Sequence, residues 1–194
     1  MNIIARPFGS RYCYCRPDTT WERENRDFYS PECVNEILWN PVIFARISKA
    51  GKCVSPKFIE RYYDAVGYGM LMYGVTATSS AEGASQISSC IDHSSILPMP
   101  LYNPVVIEDD KEFTVTAKKA DAADSAVTSV VLGDAKALLE DAICKASERV
   151  SLRIGDLVAV ELAPMESMAE RKDGEVNLKA AFCENSLFDL KVIF

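Results

Sequence analysis

The sequence has little of what several common functions require. Its 194 residues include a single histidine, His93, and no run approaches the roughly 18 apolar residues that a membrane-spanning helix needs. The apolar stretch at the N-terminus is too short for a secretory signal peptide, so a cytoplasmic location is the expectation. No Lys/Arg cluster supplies the basic face that nucleic-acid binding requires, and the net charge of −7 opposes such binding. We therefore expect neither a membrane protein nor a nucleic-acid-binding protein.

The seven cysteines are odd in number and scattered, which indicates reduced thiols rather than a disulfide framework. Cys13 and Cys15 are the one closely spaced pair. Zinc sites usually need a second pair or histidines downstream, so the simpler interpretation places both thiols on one face of a strand. A metal site at this pair is the alternative, and the sequence leaves its role open.

The pattern along the chain predicts one domain, residues 1–194, that is mostly β. Apolar side chains at helical spacing predict helices over 56–66 and 134–148. Runs of β-branched and aromatic residues predict strands at 68–77, 113–117, 126–132, 157–162, 176–182 and 187–194. Residues 1–40 are irregular in pattern, and strands do not alternate with helices. This favours an α+β fold with short mixed strands over a doubly wound sheet.

Three segments are predicted to interrupt these elements. Asn40-Pro41 separates apolar runs at 37–39 and 42–45, which indicates a turn or bulge. The Ser/Ala/Gly-rich stretch 78–89 and the acidic stretch 164–175 are both predicted to be loops.

Two stretches, taken together, resemble the catalytic domain of the fumarylacetoacetate hydrolase family. Residues 42–55, a predicted helix and then Gly67-Tyr68 are similar to the family's strand, Gly/Lys turn, helix and "GYT" strand. Residues 151–159 are similar to its "mtLepGDlIaTGTP" segment, and shorter similarities at 91–100 and 187–192 keep the same order. The resemblance implies a β-sandwich or roll with two flanking helices over 41–194. It also implies a homodimer.

The family's chemistry needs a divalent cation, such as Mg²⁺ or Mn²⁺, held by an E-x-E motif and a downstream aspartate. In the register of the resemblance, the E-x-E positions are Asn40 and Val42, an amide and a hydrocarbon. The aspartate position is Gly74, and the Gly-Thr of "TGTP" falls on Glu161 and Leu162. We therefore expect no metal or other cofactor here. Binding of Mg²⁺ or Mn²⁺ is the alternative if other residues have rebuilt the site.

Few other residues are candidates for chemistry. His93 follows Asp92 and could act as a base, although a loop histidine with one ordinary hydrogen bond is the simpler interpretation. Tyr73 lies beside the former aspartate position, and Glu161 could supply a new carboxylate. The predicted pocket residues are Asn40, Val42, Tyr73, Gly74 and Leu162, and the catalytic candidates are Asp92, His93 and Glu161.

Three functions remain open. The first is a protein of this fold that has lost metal-dependent C–C hydrolysis and serves as a binding or assembly protein, with a small organic acid as ligand. The second is a hydrolase or decarboxylase of the same family, acting on a β-dicarbonyl acid with a rebuilt site. The third is an unrelated β-rich binding module. Carboxylates converging around Val42, Gly74 and Glu161 would favour the second, and an apolar cavity the first.

Four aromatic residues near the N-terminus bear on assembly: Trp21, Phe28, Tyr29 and Trp39. Large aromatics in polar segments are typical interface anchors, which predicts that this region contributes to a homodimer. Alternatively, these side chains only hold the N-terminal segment to the body of the same chain.

Overall fold

The structure, a computed structural model, describes residues 1–76, 89–107, 111–119, 126–183 and 185–194. Within these ranges the strands form two mixed sheets, and the α-helix α1 spans Ala135–Arg149. The strands are β1 Ile3–Arg6, β2 Tyr14–Arg16, β3 Trp21–Glu22, β4 Phe28–Tyr29, β5 Val34–Ile47, β6 Tyr63–Thr76, β7 Ser95–Ile96, β8 Glu112–Lys119, β9 Ala126–Val131, β10 Leu157–Glu161, β11 Glu166–Glu170, β12 Glu175–Phe182 and β13 Asn185–Ile193. No helix in these ranges is long and apolar enough to cross a membrane.

The first sheet has the order β2-β1-β10-β5-β6-β7-β3, and β11 pairs with β5 beyond the end of β10. The second sheet has the order β4-β13-β12-β8-β9. Most pairs are antiparallel, but β1 runs parallel to β10, β3 to β7 and β4 to β13. The fold class predicted from the sequence, mostly β with mixed short strands, is confirmed.

The main core lies where the two sheets and α1 meet. Tyr68 of the first sheet stacks on Phe182 and Phe113 of the second, with ring centroids 4.2 and 5.9 Å apart. Leu139 and Ile143 bring α1 onto the same core, because residues four apart share one helix face. Helix α1 confirms the predicted helix over 134–148.

The opposite face of the first sheet carries a second apolar cluster. It contains Val42 of β5, Leu71 and Tyr73 of β6, and Ala159 of β10. Residues two apart along a strand point the same way, so Glu161 at the end of β10 shares this face. This face of the first sheet thus brings together the carboxylate of Glu161 and the phenol of Tyr73.

Asn40-Pro41 does not form the predicted turn, because it lies inside the continuous strand β5. The carbonyl of Pro41 accepts a hydrogen bond from the amide of Leu162 at 2.9 Å, in the gap between β10 and β11. No residue of β10 or β11 is paired with Pro41, so neither strand needs a backbone N–H donor from it. The missing N–H of proline therefore leaves no ladder bond unmade, and the predicted interruption was wrong.

Other element boundaries also differ from the prediction. The helix predicted over 56–66 is a 3-10 helix at Pro56–Arg61, and β6 already begins at Tyr63. Pairing of Tyr63 with Ile47 in β5 overrides the helical spacing of the side chains. The predicted loop at 164–175 contains β11, which extends the first sheet. Apart from Ser89, the predicted loop at 78–89 lies outside the described residues.

The N-terminal segment is held to the body by its short strands. β1 and β2 join the first sheet, and β3 and β4 pair with β7 and β13. The indole of Trp21 donates to the carbonyl of Leu97 at 2.9 Å, while Phe28 and Trp39 are buried. Tyr29 is 70% exposed. Three of the four aromatics therefore pack within the chain.

Candidate functional site

A cavity of about 520 Å³ opens on the face of the first sheet that is opposite the main core, and we call it the Glu161 cavity. Its lining residues are Pro7, Tyr14, Cys15, Tyr73, Ser89, Cys90, Glu161 and Met165. The volume falls in the range of roughly 300–1,000 Å³ that is typical of small-molecule sites. Glu161 is the one carboxylate among these lining residues, so the chemistry of the cavity centres on it.

Glu161 is a buried carboxylate whose two oxygens are both hydrogen-bonded. It is 4% exposed. The hydroxyl of Tyr73 donates to Oε1, and the amide of Phe8 donates to Oε2 at 2.9 Å. Burial raises the pKa of Glu161 above its usual value, and the two hydrogen bonds and the nearby Arg16 offset part of that rise. Glu161 therefore retains its proton to higher pH than a surface glutamate.

Two tyrosines extend this hydrogen-bonded chain to the other wall of the cavity. The hydroxyl oxygens of Tyr14 and Tyr73 lie 2.6 Å apart. Because Tyr73 directs its proton at Glu161, Tyr14 donates to Tyr73. Burial is the main cause that raises the pKa of both phenols, so both remain neutral donors near pH 7.

Arg16 places a buried positive charge behind the ring of Tyr73. Its guanidinium carbon lies 5.0 Å from the ring centroid, and the residue is 2% exposed. Nη2 donates to the carbonyl of Met72 at 3.0 Å and to the hydroxyl of Ser94 at 2.7 Å. Nε and Nη1 have no hydrogen-bond partner among the described residues. A buried charge with unsatisfied donors is costly, so the folded chain holds this side chain at a cost in stability.

The sequence matches no protein-family model and no curated protein at a significant level. Solved structures do match. A fumarylpyruvate hydrolase from Pseudomonas aeruginosa, in complex with Mn²⁺ and pyruvate, has a TM-score of 0.73 at 13% identity, over 100% of this chain and 90% of that one. A Yersinia pestis protein described as belonging to the fumarylacetoacetate hydrolase family has a TM-score of 0.72 at 12% identity, over 99% and 92%.

A maleylpyruvate hydrolase from Sphingobium sp. SYK-6 has a TM-score of 0.65 at 16% identity, over 97% of this chain and 69% of that one. The chain has the fold of the fumarylacetoacetate hydrolase family. At these identities the likeness concerns the fold alone, and that is the fold which the sequence resemblance predicted.

Four of the predicted pocket and catalytic residues lie on the same face of the first sheet as the Glu161 cavity. Tyr73 and Glu161 line the cavity itself, and Asn40 and Val42 are buried on the same face of β5. The amide nitrogen of Asn40 donates to the carbonyl of Ala163 at 2.9 Å. This hydrogen bond holds the segment after β10 against β5.

Gly74 and Leu162 point to the other face of the first sheet. A Cβ at Gly74 would meet Cδ1 of Ile91 at 2.5 Å and Cγ2 of Val34 at 2.8 Å, on the side of the main core. Leu162 also packs against that core. Side chains alternate between the two faces along a strand, so Tyr73 and Glu161 face the cavity, whereas positions 74 and 162 face the main core.

Asp92 and His93 are not among the residues that line the Glu161 cavity. Nδ1 of His93 is 3.1 Å from Oε2 of the buried Glu22, and the His93 side chain is half exposed. Its pairing partner is thus Glu22 rather than the adjacent Asp92. A loop histidine with one side-chain hydrogen bond is what the simpler interpretation of the sequence predicted.

The described residues around the Glu161 cavity do not fit the divalent cation that this fold family implies. Mg²⁺ and Mn²⁺ favour octahedral sites rich in carboxylate and other oxygen ligands. The described part of the chain contains no group of three or more His, Cys, Asp or Glu side chains that could hold a metal ion. Both oxygens of Glu161 already accept hydrogen bonds, and Val42 and Tyr73 offer a hydrocarbon and a neutral phenol.

Sequence reasoning missed Tyr14 and Arg16. Residues 1–40 are irregular in pattern, and Arg16 begins a charged stretch that is interrupted by Pro17 and Pro31. The available signal was the alternation of Tyr14 and Arg16, which puts both on one face of a strand. β2 pairs with β1 and so carries both side chains over the second face of the sheet.

Proposed function

We propose that this chain is a binding protein that holds a small organic acid in the Glu161 cavity without a divalent cation. The observation that carries the proposal is the hydrogen bond from Tyr73 to Glu161. It commits Glu161, the one carboxylate among the described residues that line the cavity, to a partner within the chain. A rebuilt hydrolase site would instead need several carboxylates directed at one point.

Arg16 supports an acid as the ligand. Its guanidinium keeps a positive charge behind the Tyr73 ring, with two nitrogens that have no partner among the described residues. Glu161 opposes an anion only when it is ionised, and its raised pKa reduces that repulsion as the pH falls. We therefore expect acids to bind more tightly at pH 5 than at pH 8.

The test is calorimetric titration of pyruvate, oxalate and fumarate into the chain in the presence of a chelator. We expect saturable binding of at least one acid, weakened about tenfold or more in Arg16→Met because a desolvated charge is lost. Arg23→Met is the matched control, since Arg23 stacks on Trp21 with its guanidinium carbon 4.9 Å from the ring but is half exposed.

Two results would contradict the proposal. One is acid binding that requires added Mn²⁺. The other is the absence of binding by all three acids at pH 5 and pH 8, with the chain folded as judged by its thermal unfolding.

A second candidate is a hydrolase or decarboxylase of β-dicarbonyl acids that works through Glu161. The observation that favours it is a carboxyl of raised pKa inside a cavity, an arrangement common among general acids and bases. Fumarylpyruvate, the substrate in the name of a structural neighbour, is a suitable probe. Turnover in chelator that Glu161→Gln abolishes and the exposed Glu166→Gln retains would favour this candidate.

A further inference from the structure

A second cleft, of about 410 Å³, lies between the β1–β2 hairpin and the C-terminal half of α1. We call it the basic cleft, because four of its lining residues are Arg6, Arg11, Lys145 and Arg149. Cys13 also lines it, whereas Tyr14 lines the Glu161 cavity. The two clefts thus draw on neighbouring residues of the same hairpin, and the basic cleft plays no part in the function proposed above.

The basic cleft has more positive than negative charge. Two of its cations are paired, Arg6 with Asp141 at 2.7 Å and Lys145 with Glu148 at 2.8 Å. Arg11 and Arg149 form no ion pair within 4.0 Å in the described part of the chain. The whole chain carries a net charge of −7, so this local excess runs against the overall composition.

Two of the arginines are held in place before any ligand arrives. Nε of Arg6 donates to the carbonyl of Ser10 at 2.7 Å, and Nη1 donates to the carbonyl of Leu138 at 3.3 Å. The guanidinium carbon of Arg149 lies 4.9 Å from the ring centroid of Tyr12. Preorganised guanidinium groups lose less side-chain entropy on binding and match the oxygens of a phosphoryl group in pairs.

We propose that the basic cleft binds a phosphate-bearing small molecule, with Arg11 and Arg149 contacting the phosphoryl oxygens. A guanidinium can donate two parallel hydrogen bonds to a phosphate, and the two unpaired arginines supply the opposite charge. The ring of Tyr12 is 65% exposed and is available for stacking on a planar group. Free phosphates and nucleotides share this phosphoryl chemistry.

Calorimetry of the full chain in phosphate-free buffer at low ionic strength tests the proposal, with pyrophosphate, ADP and adenosine as probes. We expect pyrophosphate and ADP to bind and the double variant Arg11→Gln/Arg149→Gln to weaken both by about tenfold or more. The control is Lys179→Gln/Lys191→Gln, which removes two charges paired with Asp189 and Glu175 in the second sheet. The control should bind both probes as the wild type does.

The three probes also distinguish the source of the phosphate. ADP binding about tenfold tighter than pyrophosphate would support a nucleotide that stacks on Tyr12, and equal affinities would support recognition of phosphate alone. Adenosine binding as tightly as ADP would overturn the proposal. So would a lack of pyrophosphate and ADP binding by the wild type, or equal binding by the double variant and the control. Arg149→Lys, which keeps the charge near the end of α1, should retain part of the affinity if the double variant unfolds.

Discussion

The hydroxyl of Tyr73 donates a hydrogen bond to Oε1 of Glu161, and it also contacts the hydroxyl of Tyr14 at 2.6 Å. A neutral phenol and a carboxylate thus occupy a face on which the fold family, by the sequence resemblance, places a cation and its anionic ligands. The side chain of Tyr73 reaches the cavity, whereas a side chain at position 74 would point into the main core.

Tyr73→Phe should lower the free energy of unfolding by about 1–3 kcal/mol, because Glu161 and Tyr14 both lose a buried hydrogen-bond partner. Chemical denaturation at neutral pH measures this loss. The matched control is Tyr29→Phe, since that hydroxyl belongs to a side chain that is 70% exposed. Equal stability of Tyr73→Phe and the control would show that the hydrogen bond contributes nothing.

Glu161→Gln should change how stability depends on pH. The folded-state pKa of Glu161 is raised above the ordinary value of 4.5, so the folded chain binds the proton more tightly than the unfolded chain. Its stabilising contribution is therefore complete below pH 4.5 and is lost as the pH rises through the folded pKa. Relative to Glu161→Gln, the wild type should lose stability across that window in denaturation series. A parallel pH dependence of the two proteins would contradict the raised pKa.

Ser147→Ala should destabilise the contact between α1 and the residues before the 3-10 helix. The buried hydroxyl of Ser147 accepts from the amide of Val54 at 2.8 Å and donates to the carbonyl of Cys144 at 2.7 Å. Loss of the acceptor leaves a buried amide unpaired, at about 1–3 kcal/mol. Thermal unfolding compared with the exposed Ser151→Ala measures the effect. A shift no larger than that of Ser151→Ala would contradict it.

We predict a homodimer in solution, since two-fold dimers are the most frequent soluble oligomers and Tyr29 leaves a large aromatic side chain 70% exposed. Light scattering at micromolar concentration should give twice the chain mass of 21.4 kDa. Tyr29→Ala should weaken the dimer, whereas Tyr12→Ala, at a tyrosine that is 65% exposed, should leave it intact. A mass of one chain for the wild type would contradict the prediction.

Much of the architecture could be predicted from the sequence, because periodicity reports which face of an element is buried. The apolar stripe of α1 and the runs of β-branched and aromatic residues in β8, β9, β12 and β13 predicted those elements to within a few residues. Pairing between distant segments could not be predicted in the same way. Pro41 is tolerated inside β5 only because it meets the gap between β10 and β11, which no local pattern reveals.

The candidate site was predicted in part for the same reason. Tyr73 and Glu161 were identified as cavity residues, and the structure places them in contact. Gly74 and Leu162 each follow a cavity residue, Tyr73 and Glu161, by one position. A side chain at the next position points to the opposite face of the sheet. Arg16 was missed because its burial depends on Met72 and Ser94, which are distant in sequence.

Calorimetric titration of Mn²⁺ into the chain at neutral pH tests whether the Glu161 cavity works without a divalent cation. Glu161→Gln and the exposed Glu166→Gln serve as the paired variants. We expect no saturable binding by the wild type at metal concentrations up to about 1 mM. Micromolar Mn²⁺ binding by the wild type that Glu161→Gln abolishes and Glu166→Gln retains would contradict it.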